Sequence, residues 1–378
     1  MKLGGLAGVR TPAALVDLDA LERNCARMRE RAARLRVTLR PHIKTHKCVE
    51  IARIQHGGIV GPLTVSSLAE ARAFAAAGFR DMTYAVPVPF PAIPEAAELL
   101  RQGVRLNLLL DHEAALWELE AFGSSQGVRF PVFLKVDCGY HRAGVDPERE
   151  ESVTLAARVA RSPHVHFEGL LTHAGQAYHC THREEVLAVA EQERAVMARF
   201  AAKLRSAGVR VPEVSAGSTP TCCAAEDWTG VTEIRPGNYA FFDVFQAAIG
   251  SCSLADALAF AVLATVIGHY PERGGMLLNA GALALSKDPG PTQHDPACGF
   301  GIPCDLSGKP IQGLRLKSLS QEHGEAMVSD PSVYDRFPLG STLRILPNHS
   351  CLAAACFESY LVLRNGEVVD EWRSARGW

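Results

Sequence analysis

Two observations predict an α/β protein built on a closed (β/α)8 barrel followed by a mostly-β domain. Eight short β-branched or leucine-rich runs, "TLRPHI", "IVGPLTVS", "MTYAV", "RLNLLL", "PVFLKVD", "VHFEGLLT", "PEVSAG" and "VTEIRPG", alternate with alanine-rich helical stretches. Apolar strands alternating with helices imply a parallel sheet covered by helices, and about eight repeats over roughly 200 residues suit a barrel. An open, doubly wound sheet fits the alternation as well. Closure is favoured because Lys44, Asp137, His173, Ser218 and Arg235 all fall at C-terminal strand ends, where barrel enzymes build their sites.

The first helix is read over Asp19–Leu35, with Leu21, Cys25, Met28, Ala32 and Leu35 on one face and Asp19 as N-cap. Past about residue 250 the texture changes. "LAFAVLATVIGHY", "GGMLLNAGALALS", "IQGLRLKSLS", "STLRILP" and "SYLVLRNGEVVDEW" read as strands separated by Gly, Pro and Asn turns, with "RNGE" as a hairpin signal. The division expected is therefore a barrel over 12–250 and a β-domain over 251–378.

Composition narrows the partners. The chain carries 39 Lys+Arg against 41 Asp+Glu, so no field recruits nucleic acid or an anionic membrane, and a small-molecule partner is favoured. No apolar run reaches the length of a membrane span, and "MKLGGLAGVRTP" lacks the apolar core of a secretory signal, so a cytoplasmic protein is expected. Eleven scattered cysteines without a CxxC pair argue against a disulfide framework.

"LRPHIKTHK" crowds Arg40, His42, Lys44, His46 and Lys47 at a strand end. A lysine there can form a Schiff base with a carbonyl, and neighbouring Arg40 or Lys47 would lower its pKa; a solvated basic loop is the plainer reading. "SAGSTPT" and "IRPGNY" are glycine turns late in the barrel whose N–H groups, with the Ser218 and Thr219 hydroxyls, suit a phosphate. In "PNHSC", His349 and Cys351 point the same way if extended, and an imidazole with a thiolate suits zinc. A buried cysteine beside a hydrogen-bonded histidine is the plainer reading of that pair. Arg142 in "GYHRAGV" and His173, Gln176 and Tyr178 in "THAGQAY" project from adjacent strand ends. "HCTH" (179–182) reads as a solvated loop before a helix, and "QEHG" (321–324) as a turn offering Glu322 and His323.

In that order, "RPHIKTHK", "GYHRAGV", "THAGQAY", "SAGSTPT", "RPGNYAFFD", "QEHG" and "PNHSC" resemble the D-serine dehydratase and D-threonine aldolase-like family of fold-type III pyridoxal-phosphate enzymes. The resemblance covers nearly the whole chain. It implies an alanine racemase-like TIM barrel with a β-domain joined by residues 1–11, and a homodimer. It also implies pyridoxal 5'-phosphate on Lys44, held at Gly217, Ser218, Thr219, Gly237, Asn238 and Tyr239, with Arg142, His173 and Tyr178 around the reacting centre.

The same resemblance implies zinc on His349 and Cys351, replaceable by another divalent metal. Aldolases of the family place aspartate where Cys351 stands and use harder metals; a thiolate favours zinc. Asn279 and Ala353 depart from the family pattern. The activity implied is elimination of water from a D-3-hydroxy amino acid such as D-serine or 3-hydroxyaspartate, giving a 2-oxo acid and ammonia. Retro-aldol cleavage, racemisation and noncatalytic pyridoxal-phosphate carriage are the rivals.

Overall fold

The computed structural model describes residues 5–6, 8–255, 257–293 and 298–378. It divides into two compact units, Arg27–Gly237 with Ala375–Trp378, and Met1–Ala26 with Asn238–Ser374. The chain opens with β1 (Ala13–Asp17) and α1 (Leu18–Arg34). Leu21, Cys25, Met28 and Ala32 are buried along the expected helix face. The cap, however, is Asp17 rather than Asp19: Asp17 Oδ1 accepts from Ala20 N at 2.9 Å. Asp17 ends a strand, so its extended backbone lets the carboxylate fold over the first turn, whereas Asp19 is already helical.

Each of the eight anticipated barrel runs holds a strand: β2 (Thr38–Leu39), β3 (Leu63–Val65), β4 (Asp81–Pro87), β5 (Arg105–Leu110), β6 (Phe130–Lys135), β7 (Val165–Leu171), β8 (Glu213–Ala216) and β9 (Glu233–Ile234). They pair in parallel in the order β2-β9-β8-β7-β6-β5-β4-β3. Just past β2, His42 bridges Thr64 of β3 in parallel and brings the two ends of the sheet together. The helices between them are α2 (Val49–Gln55), α3 (Leu68–Ala76), α4 (Ile93–Arg101), α5 (Glu113–Gln126), α6 (Glu150–Arg161), α7 (Arg183–Ser206) and α8 (Thr219–Ala224). Leu108, Leu109 and Leu110 of β5 and Val132, Phe133 and Leu134 of β6 are buried in succession, as expected of strands covered on both faces. Two neighbours along a strand cannot both be buried unless the inside of the barrel and its helical shell both exclude water.

The other unit is a twisted sheet in the order β13-β14-β11-β10-β1-β16-β17, with β15 pairing β10 and β12 pairing β15. These strands are β10 (Phe260–Tyr270), β11 (Gly275–Leu278), β12 (Ile302–Cys304), β13 (Leu314–Leu319), β14 (Gly324–Val328), β15 (Thr342–Leu346), β16 (Ser359–Arg364) and β17 (Glu367–Arg373). Short helices accompany them: α9 (Val244–Ala248), α10 (Ala282–Leu285), α11 (Ser332–Arg336) and α12 (Ser350–Ala355). Leu6, Leu15, Leu263, Cys304, Leu346 and Leu363 pack as one core, and Phe241 stacks on Phe260 at 5.1 Å between ring centres. Of residues 1–11, positions 1–4 and 7 lie outside the described residues.

"RNGE" is the tight hairpin between β16 and β17, with Asn365 at φ 52° and Gly366 at φ 79°. Both positive angles suit a type I′ turn and the twist of its strands. "GGMLLNAGALALS" is not one strand. It leaves the sheet after Leu278 and forms α10, because at Gly281 an added Cβ would lie 2.5 Å from Gln321 O, His323 N and Ser320 O. Only a bare backbone passes there, and the alanine–leucine run beyond it is a good helix former. No helix among the described residues is long and apolar enough to cross a membrane.

Candidate active site

Lys44 sits in a short 3-10 turn, Ile43–Thr45, just past β2, with its side chain exposed while Ile43 and Thr45 are buried. The turn is held from both sides: Lys44 N donates to His42 Nδ1 at 3.4 Å, and Lys47 N to Ile43 O at 2.7 Å. The two cations expected to act on Lys44 are occupied elsewhere. Arg40 is pinned between Glu233 at 2.5 Å and Asp81 at 2.7 Å, and Lys47 meets the fully buried Glu70 at 2.9 Å. Their charges are matched where they stand, so they stiffen the strand end rather than press on Lys44. The histidines are neutral. Burial drives His46 down to about 3, with Gln55 and Cys48 N as hydrogen-bond partners, and burial with Lys44 and Arg235 holds His42 well below its ordinary value.

A second group of cations gathers around His173, two residues beyond β7. Burial keeps this imidazole neutral, followed by the charges of Lys44, Lys135, Arg235 and Arg142. None of these four makes an ion pair with a described residue. Arg235 directly follows β9 and is 5 % exposed; its guanidinium donates to Ser215 Oγ at 2.7 Å and to Thr172 O, both neutral acceptors. Lys135, the last residue of β6, is 7 % exposed, and burial with Arg235 and Arg142 pushes it down to about 7. Arg142 lies over the Tyr140 ring at 5.1 Å, and Tyr140 and Tyr178 each stand 6.4 Å from the His173 ring.

The fully buried Glu193 of α7 organises the neighbouring turns: it accepts from Ala174 N at 3.1 Å, Gly217 N at 3.0 Å and Thr221 Oγ1 at 3.0 Å. Gly217 stands at φ 92°, where a Cβ would meet Cys222 Sγ at 2.5 Å. Ser218 caps α8 reciprocally with Thr221, and Gly237 N donates to Thr219 Oγ1 at 3.2 Å, joining the turns after β8 and β9. At Gly237 a Cβ would lie 2.8 Å from His42 O. The chain's last residues belong to this unit too: Ala375 N donates to Lys47 O at 2.6 Å. Sequence reading brought Lys44, Arg142, His173, Tyr178 and the glycine turns to one rim; it missed Lys135 and Glu193. Lys135 carried a signal, a lysine closing an otherwise apolar strand. Glu193 carried none, since it is one of several acids on a long polar helix.

In the other unit, His349 and Cys351 do not lie in an extended segment. His349 is extended, but Cys351 is already inside α12. The two side chains nevertheless come within hydrogen-bond reach of each other. His349 Nδ1 lies 2.8 Å from Asp288 Oδ2, which leaves Nε2 as the ring's remaining donor atom. Burial works against a proton on His349, but Cys351 and Asp288 outweigh it and push the imidazole up to about 11. Asp243, 1 % exposed, anchors the segment: it accepts from Ser350 N at 2.9 Å, Ser350 Oγ at 3.1 Å, Asn238 Nδ2 at 2.7 Å and Gln246 N at 2.9 Å. Asn238 also reaches Cys351 Sγ at 3.5 Å, so its side chain serves this network, and Tyr239 is fully buried. A nitrogen and a sulfur donor turned together on an anchored segment fit a borderline-soft ion such as zinc.

Glu322 and His323 lie exposed in the turn between β13 and β14. "HCTH" runs from a 3-10 turn into α7, with His182 at the helix N-terminus beside Glu184 at 3.0 Å. Asn279 holds Thr265 N at 2.7 Å and Thr11 Oγ1 at 2.8 Å, a structural use of the position. Ala353 is fully buried in α12.

A parallel barrel with a lysine at the first strand end and a separate, mostly antiparallel sheet defines the alanine racemase-like class of enzymes. The chain belongs to the family described as "Alanine racemase, N-terminal domain", matched over residues 16–244, and carries a "Putative serine dehydratase domain" over 259–363. It is an enzyme of the lyase class. It is 41% identical to D-threo-3-hydroxyaspartate dehydratase of Delftia sp. (strain HT23), covering 97% of this chain and 98% of that protein. It is 36% identical to D-serine dehydratase of Dictyostelium discoideum, covering 98% of each. The solved Delftia enzyme superposes with a TM-score of 0.95 over 99% of this chain and all of that one, 100%. A cysteine-to-alanine variant of that dehydratase has been solved in a form described as metal-free, at 40% identity and a TM-score of 0.94, covering 99% of this chain and 100% of that one.

Proposed function

We propose that this chain is a pyridoxal-phosphate- and zinc-dependent dehydratase that eliminates water from a D-3-hydroxy amino acid, D-threo-3-hydroxyaspartate or D-serine, and acts as a homodimer. One observation carries the reading: Lys44, Lys135, Arg142 and Arg235 converge on a neutral His173 without an ion-pair partner among the described residues. Lys135 and Arg235 are buried there without a salt bridge among the described residues, which is costly at low dielectric, and Lys44 and Arg142 stand exposed beside them, so a dianionic phosphate with an amino-acid carboxylate would offset the excess charge. Support for the phosphate part comes from the turns at Gly217–Thr219 and Gly237, which the hydrogen bond from Gly237 N to Thr219 Oγ1 holds side by side after the last two barrel strands. The His349–Cys351 donor pair and the Delftia variant's description support the metal part.

When bound, pyridoxal phosphate supplies an electron sink for charge at Cα, and zinc supplies a Lewis acid for a departing hydroxyl. The chain's own residues do the rest. Lys44 would hold the cofactor through its amine and, once freed by substrate, take the proton from Cα. Arg142 would hold an oxygen of cofactor or substrate with its planar fork, and His173 and Tyr178 would wall the reacting centre. Lys135, poised about 7, gives or takes a proton at neutral pH without large cost.

Supplied with both cofactors, the wild-type protein should release ammonia and a 2-oxo acid from D-threo-3-hydroxyaspartate or D-serine. Lys44→Ala should lose on the order of 10³-fold or more in turnover, general base catalysis alone being worth about 10²–10⁴. Cys351→Ala should retain the cofactor's absorbance but lose zinc and elimination. Glycine and an aldehyde as products would refute the dehydratase reading.

A further inference from the structure

We propose that Asp288 is the positioning residue that presents His349 to the metal ion, an inference that deepens the zinc reading above and rests on it. An imidazole can ligate through either nitrogen, and the hydrogen bond made by the other one selects which. Asp288 Oδ2 stands 2.8 Å from His349 Nδ1, so the carboxylate holds the Nδ1–H form, fixes the plane of the ring and leaves Nε2 as the ligand atom beside Cys351.

The carboxylate is itself held in place. Its Oδ1 accepts from Gly290 N at 2.8 Å, and Asp288 N donates to Ser286 Oγ at 3.0 Å, which closes the turn over 286–290. That turn is built against the residue preceding the ligand. Asn348 donates to Pro289 O at 3.2 Å and to Gly299 O at 2.8 Å, and a Cβ on Gly290 would lie 2.7 Å from Asn348 Cβ. Asp288 and His349 therefore move as one piece although they are 61 positions apart in the chain. Among the described residues no group of three or more His, Cys, Asp or Glu side chains is arranged to hold an ion, so the acid beside His349 acts as an orienting partner and not as a third ligand.

The test is zinc affinity by chelator competition on the full-length enzyme carrying its pyridoxal phosphate, for wild type, Asp288→Ala and Asp288→Asn. A carboxylate behind a metal-bound histidine is worth about 10- to 100-fold in affinity, so Asp288→Ala should bind zinc that much more weakly. Asp288→Asn keeps an acceptor oxygen and should recover part of the loss. With cobalt in place of zinc, Asp288→Ala should keep the Cys351 thiolate charge-transfer band and alter the ligand-field bands, a change that a purely structural role would not produce. If Asp288→Ala lowers the melting temperature of the metal-free enzyme but binds zinc as tightly as wild type, this inference is overturned and the zinc reading stands. If wild type itself binds no zinc, both fall.

Discussion

The barrel rim and the His349–Cys351 segment are both rich in charge, and they treat it in opposite ways. At the rim, Lys44, Lys135, Arg142 and Arg235 gather around a neutral His173 with no ion pair among the described residues; the buried Glu233 and Glu193 act on Arg235 only through space, and Glu193 spends its hydrogen bonds on backbone and a threonine. In the other unit each acid has its donors. Asp243 accepts from Ser350, Asn238 and Gln246, and Asp288 from His349 and Gly290. The first arrangement gathers positive charge that an anion would offset; the second satisfies its two acids and ties the His349–Cys351 segment to them, while Asn238 Oδ1, Gln246 Oε1 and Asn348 Oδ1 stay buried without a partner. Open charge thus marks where an anion would be favoured, and satisfied carboxylates mark where geometry is held.

The comparison breaks first at Asp243. Asp243→Ala strands several buried donors at once, each costing about 1–3 kcal/mol, so a loss of roughly 3 kcal/mol or more is expected in urea unfolding of the metal-free protein. A loss below about 1 kcal/mol would mean that Asp243 does not hold its donors as described.

The rim is sharpened by pH. Lys135 is depressed on folding, so the unfolded chain binds more protons between about 7 and the ordinary lysine value. Its stabilising share is complete above that ordinary value and is lost as pH falls toward 7, with a slope of up to about 1.4 kcal/mol per pH unit. Lys135→Met should remove that slope from the cofactor-free protein, and pyridoxal phosphate should reduce it in wild type by favouring the charged amine. Identical slopes in wild type and variant would show that the rim tolerates its charge without a guest.

The smallest effect expected lies away from both regions. Asn365→Ala places a residue with a stronger left-handed penalty at φ 52° and should cost about 1 kcal/mol, with cofactor absorbance and zinc affinity unchanged. A change in either would mean that the β16–β17 hairpin communicates with a site.

Much of this was legible in the chain. The eight barrel strands overlap the runs that patterning picked out, because a strand buried on both faces must be apolar throughout. The hairpin was legible because Asn-Gly is the chemistry its turn demands. His349 and Cys351 were legible as a pair, though their conformation was not: a helix begins between them, in a stretch too short for periodicity to register. Glu193, Asp243 and Asp288 escaped notice because an acid's use depends on which distant donors reach it.

By itself, then, the sequence determined the alternation of strand and helix, the residue types at each strand end and the nitrogen–sulfur pair of His349 and Cys351. These are local matters of period, turn geometry and donor chemistry. Only the tertiary structure decided which charges are matched. Arg40 and Lys47 look like companions of Lys44 in the sequence, yet they belong to Glu233, Asp81 and Glu70, while the cations that share a field with Lys44 come from β6, the turn beyond it, and the residue that follows β9. The physical reason is that electrostatic energy depends on distance and burial, and neither is a property of position along the chain.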